Sequence, residues 1–163
     1  MKKIILSFGI AALVYACGSN TNQEGTANNT ATVPEANVAS DTIDFTVNAI
    51  SNGQSEISYD PKELNVKPGS KVRIKFVNNG KGTSNIVIVK SGAEKKVVQE
   101  AEDYQEQNYY NSNNPDIIVG SPVVEPGGNC VMVFTAPEVG LYKYICTYPG
   151  GYSTETQGSF IVK

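Results

Sequence analysis

The chain has no histidine among its 163 residues. That removes the commonest general base and any Ser–His or Cys–His nucleophilic pair, and it removes imidazole as a metal ligand. Clustered positive charge is missing as well, since 13 Lys and Arg stand against 16 Asp and Glu. With Lys2 and Lys3 set aside as part of a leader, 11 bases face the same 16 acids, a balance of −5. Phosphate backbones need grouped Lys and Arg, so no nucleic-acid partner is expected. No glycine-rich phosphate loop follows a strand and opens a helix, and no internal period marks a repeat protein. The densest group of carboxylates falls at Glu94, Glu100, Glu102, Asp103 and Glu106, a pattern that reads as a solvated helix face. Little is left for catalysis, and an enzyme is not expected.

Long apolar runs are also scarce. Ile4 to Val14 is the one candidate, too short to span a bilayer in comfort but suited to the apolar region of a signal peptide behind Met1-Lys2-Lys3. Val14-Tyr15-Ala16-Cys17 follows, a small residue directly before a cysteine. This end resembles a bacterial lipoprotein signal, which implies that Cys17 is lipidated and becomes the first residue after cleavage of segment 1–17. The expected partner is thus a membrane, reached through a lipid at Cys17, with the chain in the bacterial envelope facing the periplasm or the exterior. Residues 18–40 carry only Val33 and Val38 as branched aliphatics. No core can offset the entropy of ordering such a segment, so it reads as a flexible polar tether.

Residues 41–163 suit a single domain with one core. Alternation marks strands at Thr42–Val47, Lys71–Val77 and Cys130–Phe134, and apolar runs mark Ile86–Val89 and Phe160–Val162. Turn residues separate them at Asp60-Pro61, Pro68-Gly69, Asn79-Gly80, Pro126-Gly127 and Gly140. Many short strands at this spacing predict an all-β sandwich. One segment breaks the pattern: in Ala93–Tyr104, Val97, Ala101 and Tyr104 recur at helical spacing among good helix formers.

Three stretches make the resemblance specific. Tyr59-Asp60-Pro61 through Gly80, Ser84-Asn85-Ile86-Val87-Ile88-Val89, and Phe134 through Gly150 with Gln157–Val162 follow one another in order. Together they resemble the azurin and auracyanin members of the cupredoxins, a family of blue copper proteins. The resemblance implies a Greek-key β-sandwich with one inserted helical flap, here roughly residues 91–121. It also implies a copper site of two imidazoles, one thiolate and a weak axial thioether. The thiolate position is Cys146. The histidine positions are Ser84 and Gly151, and the axial position is Thr156 or Glu155, Thr156 being the better match. None of these four carries the family's ligand. Met132 falls mid-strand on a core face and reads as packing.

Other residues of the pattern are kept. Asn85, whose side chain holds two loops together in the family, is present, as are Thr147, Pro149 and Gly150. These retained residues imply that Ser84→His, Gly151→His and Thr156→Met would enter a partly organised site, with a left-handed backbone at Gly151 as the main obstacle. Three fates remain open for Cys146: an inert buried thiol, a weak soft-metal site with Glu155 nearby, or a disulfide with Cys130, which shares the inward face with Met132 and Phe134. Tyr104, Tyr109, Tyr110, Tyr148 and Tyr152 either form a protein-docking surface at the site end or cover that end of the sandwich. The expected function is a membrane-anchored binding or structural domain with a degenerate copper site and no cofactor. The alternative is copper-based electron transfer, as in the family.

Overall fold

In the computed structural model, residues 42–51 and 57–163 are described. The leader, Cys17 and the tether lie outside them. Among the described residues, nine strands form two sheets. The first contains β1 (Ile43–Ile50), β2 (Ser58–Asp60), β4 (Lys71–Asn79) and β7 (Asn129–Thr135), in the order β2-β1-β4-β7. The second contains β3 (Glu63–Val66), β5 (Val87–Lys90), β6 (Ile117–Gly120), β8 (Gly140–Ile145) and β9 (Gln157–Val162), in the order β3-β9-β8-β5-β6. β1 runs parallel to β4, and β3 parallel to β9. This is the all-β Greek-key sandwich with a helical insertion that the resemblance implies.

Period-two patterning explains the core. In β4, Val72, Ile74 and Phe76 point inward and are fully buried, while Lys71, Arg73 and Lys75 are exposed. β7 repeats this with Cys130, Met132 and Phe134 inward and Val131 and Val133 outward, so Met132 is a core residue. Facing them are Ile88, Tyr144, Phe160 and Val162 of the second sheet, with Ile86 just ahead of β5. Burying such side chains stabilises the sandwich by about 1.5–3 kcal/mol each.

The second sheet is covered on its outer face. Val97 of helix α1 (Glu94–Glu100) packs on Val87, Val89 and Ile145. The helix is shorter than its apolar spacing predicts. From Ala101 to Gln107 it tightens into a 3-10 helix, and Tyr104 already leaves helical geometry at φ −120° and ψ 35°. The chain turns at Asn108, whose left-handed φ of 63° lets its N–H close on Gln105 and Tyr104. The inserted segment is not purely helical either. It contains β6, which pairs with β5 and completes the second sheet. β2 and β6 escape pattern reading because one has three residues and the other lacks alternation, all four of its residues being half-buried.

Candidate functional site

The site lies at one end of the sandwich, where three segments meet: the end of β2, the approach to β5, and the loop after β8. Ser84 precedes β5 and is held by a single antiparallel bridge to Val124, with N–H to O distances of 3.1 and 2.7 Å. Cys146 follows β8, and its backbone N–H bonds the Thr156 carbonyl at 3.1 Å. Ser84, Asn85, Cys146, Thr147 and Thr156 are all buried. The family-pattern residues therefore do converge.

Asn85 bridges the loops. Its Oδ1 accepts from the backbone N–H of Thr147 at 2.9 Å and of Tyr148 at 3.1 Å. Its Nδ2 donates to Thr147 Oγ1 and to the Asn108 carbonyl, both at 2.8 Å. One amide thereby ties the approach to β5, the Cys146 loop and the end of the flap helix. Pro149 and Gly150 turn that loop, Gly150 taking the left-handed φ of 72° for which glycine is suited.

The residues at the ligand positions bond one another. Ser84 Oγ lies 3.3 Å from Cys146 Sγ and 2.8 Å from the hydroxyl of Tyr59. Tyr59 Oη in turn donates to the Asn85 carbonyl at 2.5 Å. With Tyr59 donating to the Asn85 carbonyl, Ser84 donates to Tyr59, and the Cys146 thiol lies against Ser84 Oγ while donating to Asn85 Oδ1 at 3.6 Å. Tyr59 was not identified from the sequence. It is fully buried at β2, set edge-on to Phe76 at 5.5 Å and stacked on Tyr144 at 6.3 Å. Burial, with the Cys146 sulfur beside it, holds its hydroxyl well above the usual tyrosine range, so it stays protonated. Its one sequence signal is a polar-tipped ring in a strand of only three residues, too brief for period to reveal which way it points.

Gly151 closes the remaining side. A β-carbon there would lie 2.5 Å from Cys146 Sγ and 3.0 Å from the Tyr148 carbonyl. The obstacle at this position is thus contact with the thiol, not a left-handed backbone, which belongs to Gly150. Thr156 turns its hydroxyl into the loop, donating to the Gly151 carbonyl at 2.5 Å and accepting from Ser153 N–H at 2.8 Å. Glu155 faces outward. It accepts from Ser58 at 3.0 Å and pairs with Lys62 at 3.6 Å, so it is not a companion donor for Cys146.

Cys130 and Cys146 are both free thiols, and the disulfide weighed from the sequence is not formed in this structure. Their surroundings differ. Cys146 sits among Ser84, Asn85 and Tyr59, while Cys130 lies near Ser121, its thiol pushed upward by burial. Among the described residues no group of three or more His, Cys, Asp or Glu is placed to hold a metal ion. Nor does any buried side-chain nitrogen or oxygen among them lack a hydrogen-bond partner.

The tyrosines pack against the scaffold around them. Tyr110 lies over Gly120 and donates to its carbonyl at 2.9 Å. Tyr152 packs on the Val87–Ile145 cluster, and Asn111 donates to Tyr104 at 3.1 Å. Tyr109 meets Tyr148 edge-on at 5.1 Å, and all five rings are half-buried. A cleft of about 360 Å³ opens beside Tyr148, between Thr83, Gly151 and Thr156.

Two sheets in this strand order, a thiol just past β8 and an asparagine pinning its loop define a cupredoxin-type sandwich. A family model of copper-binding proteins, the plastocyanin/azurin family, matches residues 45–163, and the chain belongs to that family. Auracyanin-A of Chloroflexus aurantiacus is 36% identical over 111 residues, covering 66% of this chain and 68% of that protein. The structure of dithionite-reduced auracyanin from Roseiflexus castenholzii is similar with a TM-score of 0.64 at 33% identity, covering 75% of this chain and 96% of that one. Auracyanin A of Chloroflexus aurantiacus, described as a "blue" copper protein, gives 0.65 at 30% identity, covering 75% and 99%.

Proposed function

We propose that this chain is a lipid-anchored cupredoxin whose copper site has closed, acting as a binding or structural domain at the bacterial envelope and not as an enzyme. The observation that carries the reading is the bond between the donors themselves. Ser84 sits on the Cys146 thiol and Tyr59 sits on Ser84, while Gly151 packs against the sulfur. A type 1 site needs imidazoles around its thiolate, and the residues present supply one thiol and hydroxyls already committed to each other. They do not fit copper. No buried polar side chain among the described residues is left waiting for a metal. Family membership favours the second reading, a copper electron carrier with an unusual ligand set.

Titration with Cu(II) separates the two. The purified protein is expected to develop no intense absorption in the red and no fast one-electron couple. A strong blue colour at one copper per chain, with a reversible one-electron couple, would favour the electron carrier instead.

The anchor rests on Ala16-Cys17 behind a short apolar segment. No helix among the described residues is long and apolar enough to cross a membrane. Cys17→Ser is expected to shift the protein from the membrane fraction to the soluble fraction, or to stall its processing. Membrane fractionation with normal maturation of that variant would exclude the lipid. A protein partner would meet the paired rings of Tyr109 and Tyr148 at the site end.

A further inference from the structure

The two sheets differ on their outer faces. α1 covers the second, whereas no helix among the described residues packs on the first. On that bare face β4 presents Lys71, Arg73 and Lys75 in one row. Register places Val133 beside Arg73 and Val131 beside Lys75 on β7, and these valines are 50% and 53% exposed. On the other flank β1 contributes Asp44 opposite Arg73 and Thr46 opposite Lys75. Asp44 is engaged by Arg73 at 3.2 Å, and Asp60 of β2, opposite Asn48, is the other carboxylate of this face. In a chain with net charge −3, three cations against two carboxylates leave this face slightly positive, with Lys71 and Lys75 beside two exposed valines.

We propose that this face of the β2-β1-β4-β7 sheet rests on the surface of an anionic bilayer. The proposal rests on the lipid-anchored reading, because β1 begins at Ile43, the first strand after the tether from Cys17. A tether keeps the domain at high effective concentration near the lipid and adds to the affinity of the face itself. The chemistry suits a bilayer better than an acidic protein. Aligned Lys and Arg are attracted by anionic headgroups, Val131 and Val133 add apolar area for the headgroup boundary, and no helix among the described residues packs on this face. Such a contact would direct the opposite sheet and its flap away from the membrane.

The test uses chain 18–163, which lacks the anchor but keeps both sheets and the whole of the family-matched residues 45–163. Its partition is measured onto phosphatidylcholine vesicles with and without phosphatidylglycerol. Binding is expected only with the anionic lipid, and it should weaken as salt rises, because screening shortens the reach of the cations. Lys71→Gln with Lys75→Gln should reduce binding about tenfold or more, with an unchanged circular dichroism spectrum because both side chains are exposed. Val131→Ser should weaken binding at every salt concentration. Equal partition onto both vesicle types, or a double variant that binds like the parent, would overturn the proposal. Capture by polyglutamate with no vesicle binding would also overturn it and assign the face to an acidic protein. Because the probe carries no lipid, this test and the Cys17→Ser fractionation fail independently.

Discussion

Asn85→Ala is expected to lower the stability of the metal-free domain by about 3 kcal/mol, read as a reduced denaturant midpoint at unchanged slope. The side chain accepts two backbone N–H bonds, from Thr147 and Tyr148, and donates to Thr147 Oγ1 and the Asn108 carbonyl. Truncation leaves several of these groups buried without partners, and each unsatisfied group costs about 1–3 kcal/mol. Water admitted to the space recovers part of that, which is why the sum is not reached. Equal midpoints for the parent and the variant would mean that the loops are held by packing alone. Asn85→Asp is the informative companion, since it keeps the acceptor for both N–H groups and loses the two donations.

Ser84→His, Gly151→His and Thr156→Met together are expected to give a protein that stays colourless with Cu(II) despite a free Cys146 thiol. The sequence suggested the opposite, because the ligand-loop residues of the family are retained. Geometry decides against it. A β-carbon at Gly151 meets the sulfur at 2.5 Å and a backbone carbonyl at 3.0 Å, so the loop must shift before the ring is considered. Overpacking of this kind costs about 1–3 kcal/mol. At Ser84 the imidazole would enter a fully buried position and displace the Tyr59 hydroxyl. Methionine at Thr156 removes the hydroxyl that ties Gly151 to Ser153. Thiol titration and a circular dichroism spectrum distinguish a closed site from an unfolded one. A blue folded variant binding one copper per chain would show that the loop opens readily and would remove the main support for a closed site.

The division between what was and was not legible follows from range. Strands such as β4 and β7 are written in period-two patterning, where each residue announces its own side, so the sandwich could be read locally. The pairing of Asn85 with Thr147 could be read because a known motif spans both. Tyr59 could not. Its ring points inward from a three-residue strand, and its meaning depends on a serine 25 positions away and on the Cys146 thiol beyond that serine. The contact between Gly151 and the sulfur was equally invisible, since a glycine in a Pro-Gly turn suggests a backbone need, and the need here is room for a neighbouring atom. The flap shows the same limit: helical spacing located α1 but gave no sign that Tyr104 departs from it.

The chain of bonds from Cys146 through Ser84 to Tyr59 also bears on reversibility. A histidine placed alone at position 84 or 151 would meet an occupied network and gain no metal to compensate the disruption. Each single substitution would disturb this network without completing a set of ligands. Where hydroxyls and a thiol satisfy one another at such a centre, change becomes collective: several residues must be replaced together before a different ligand set can form.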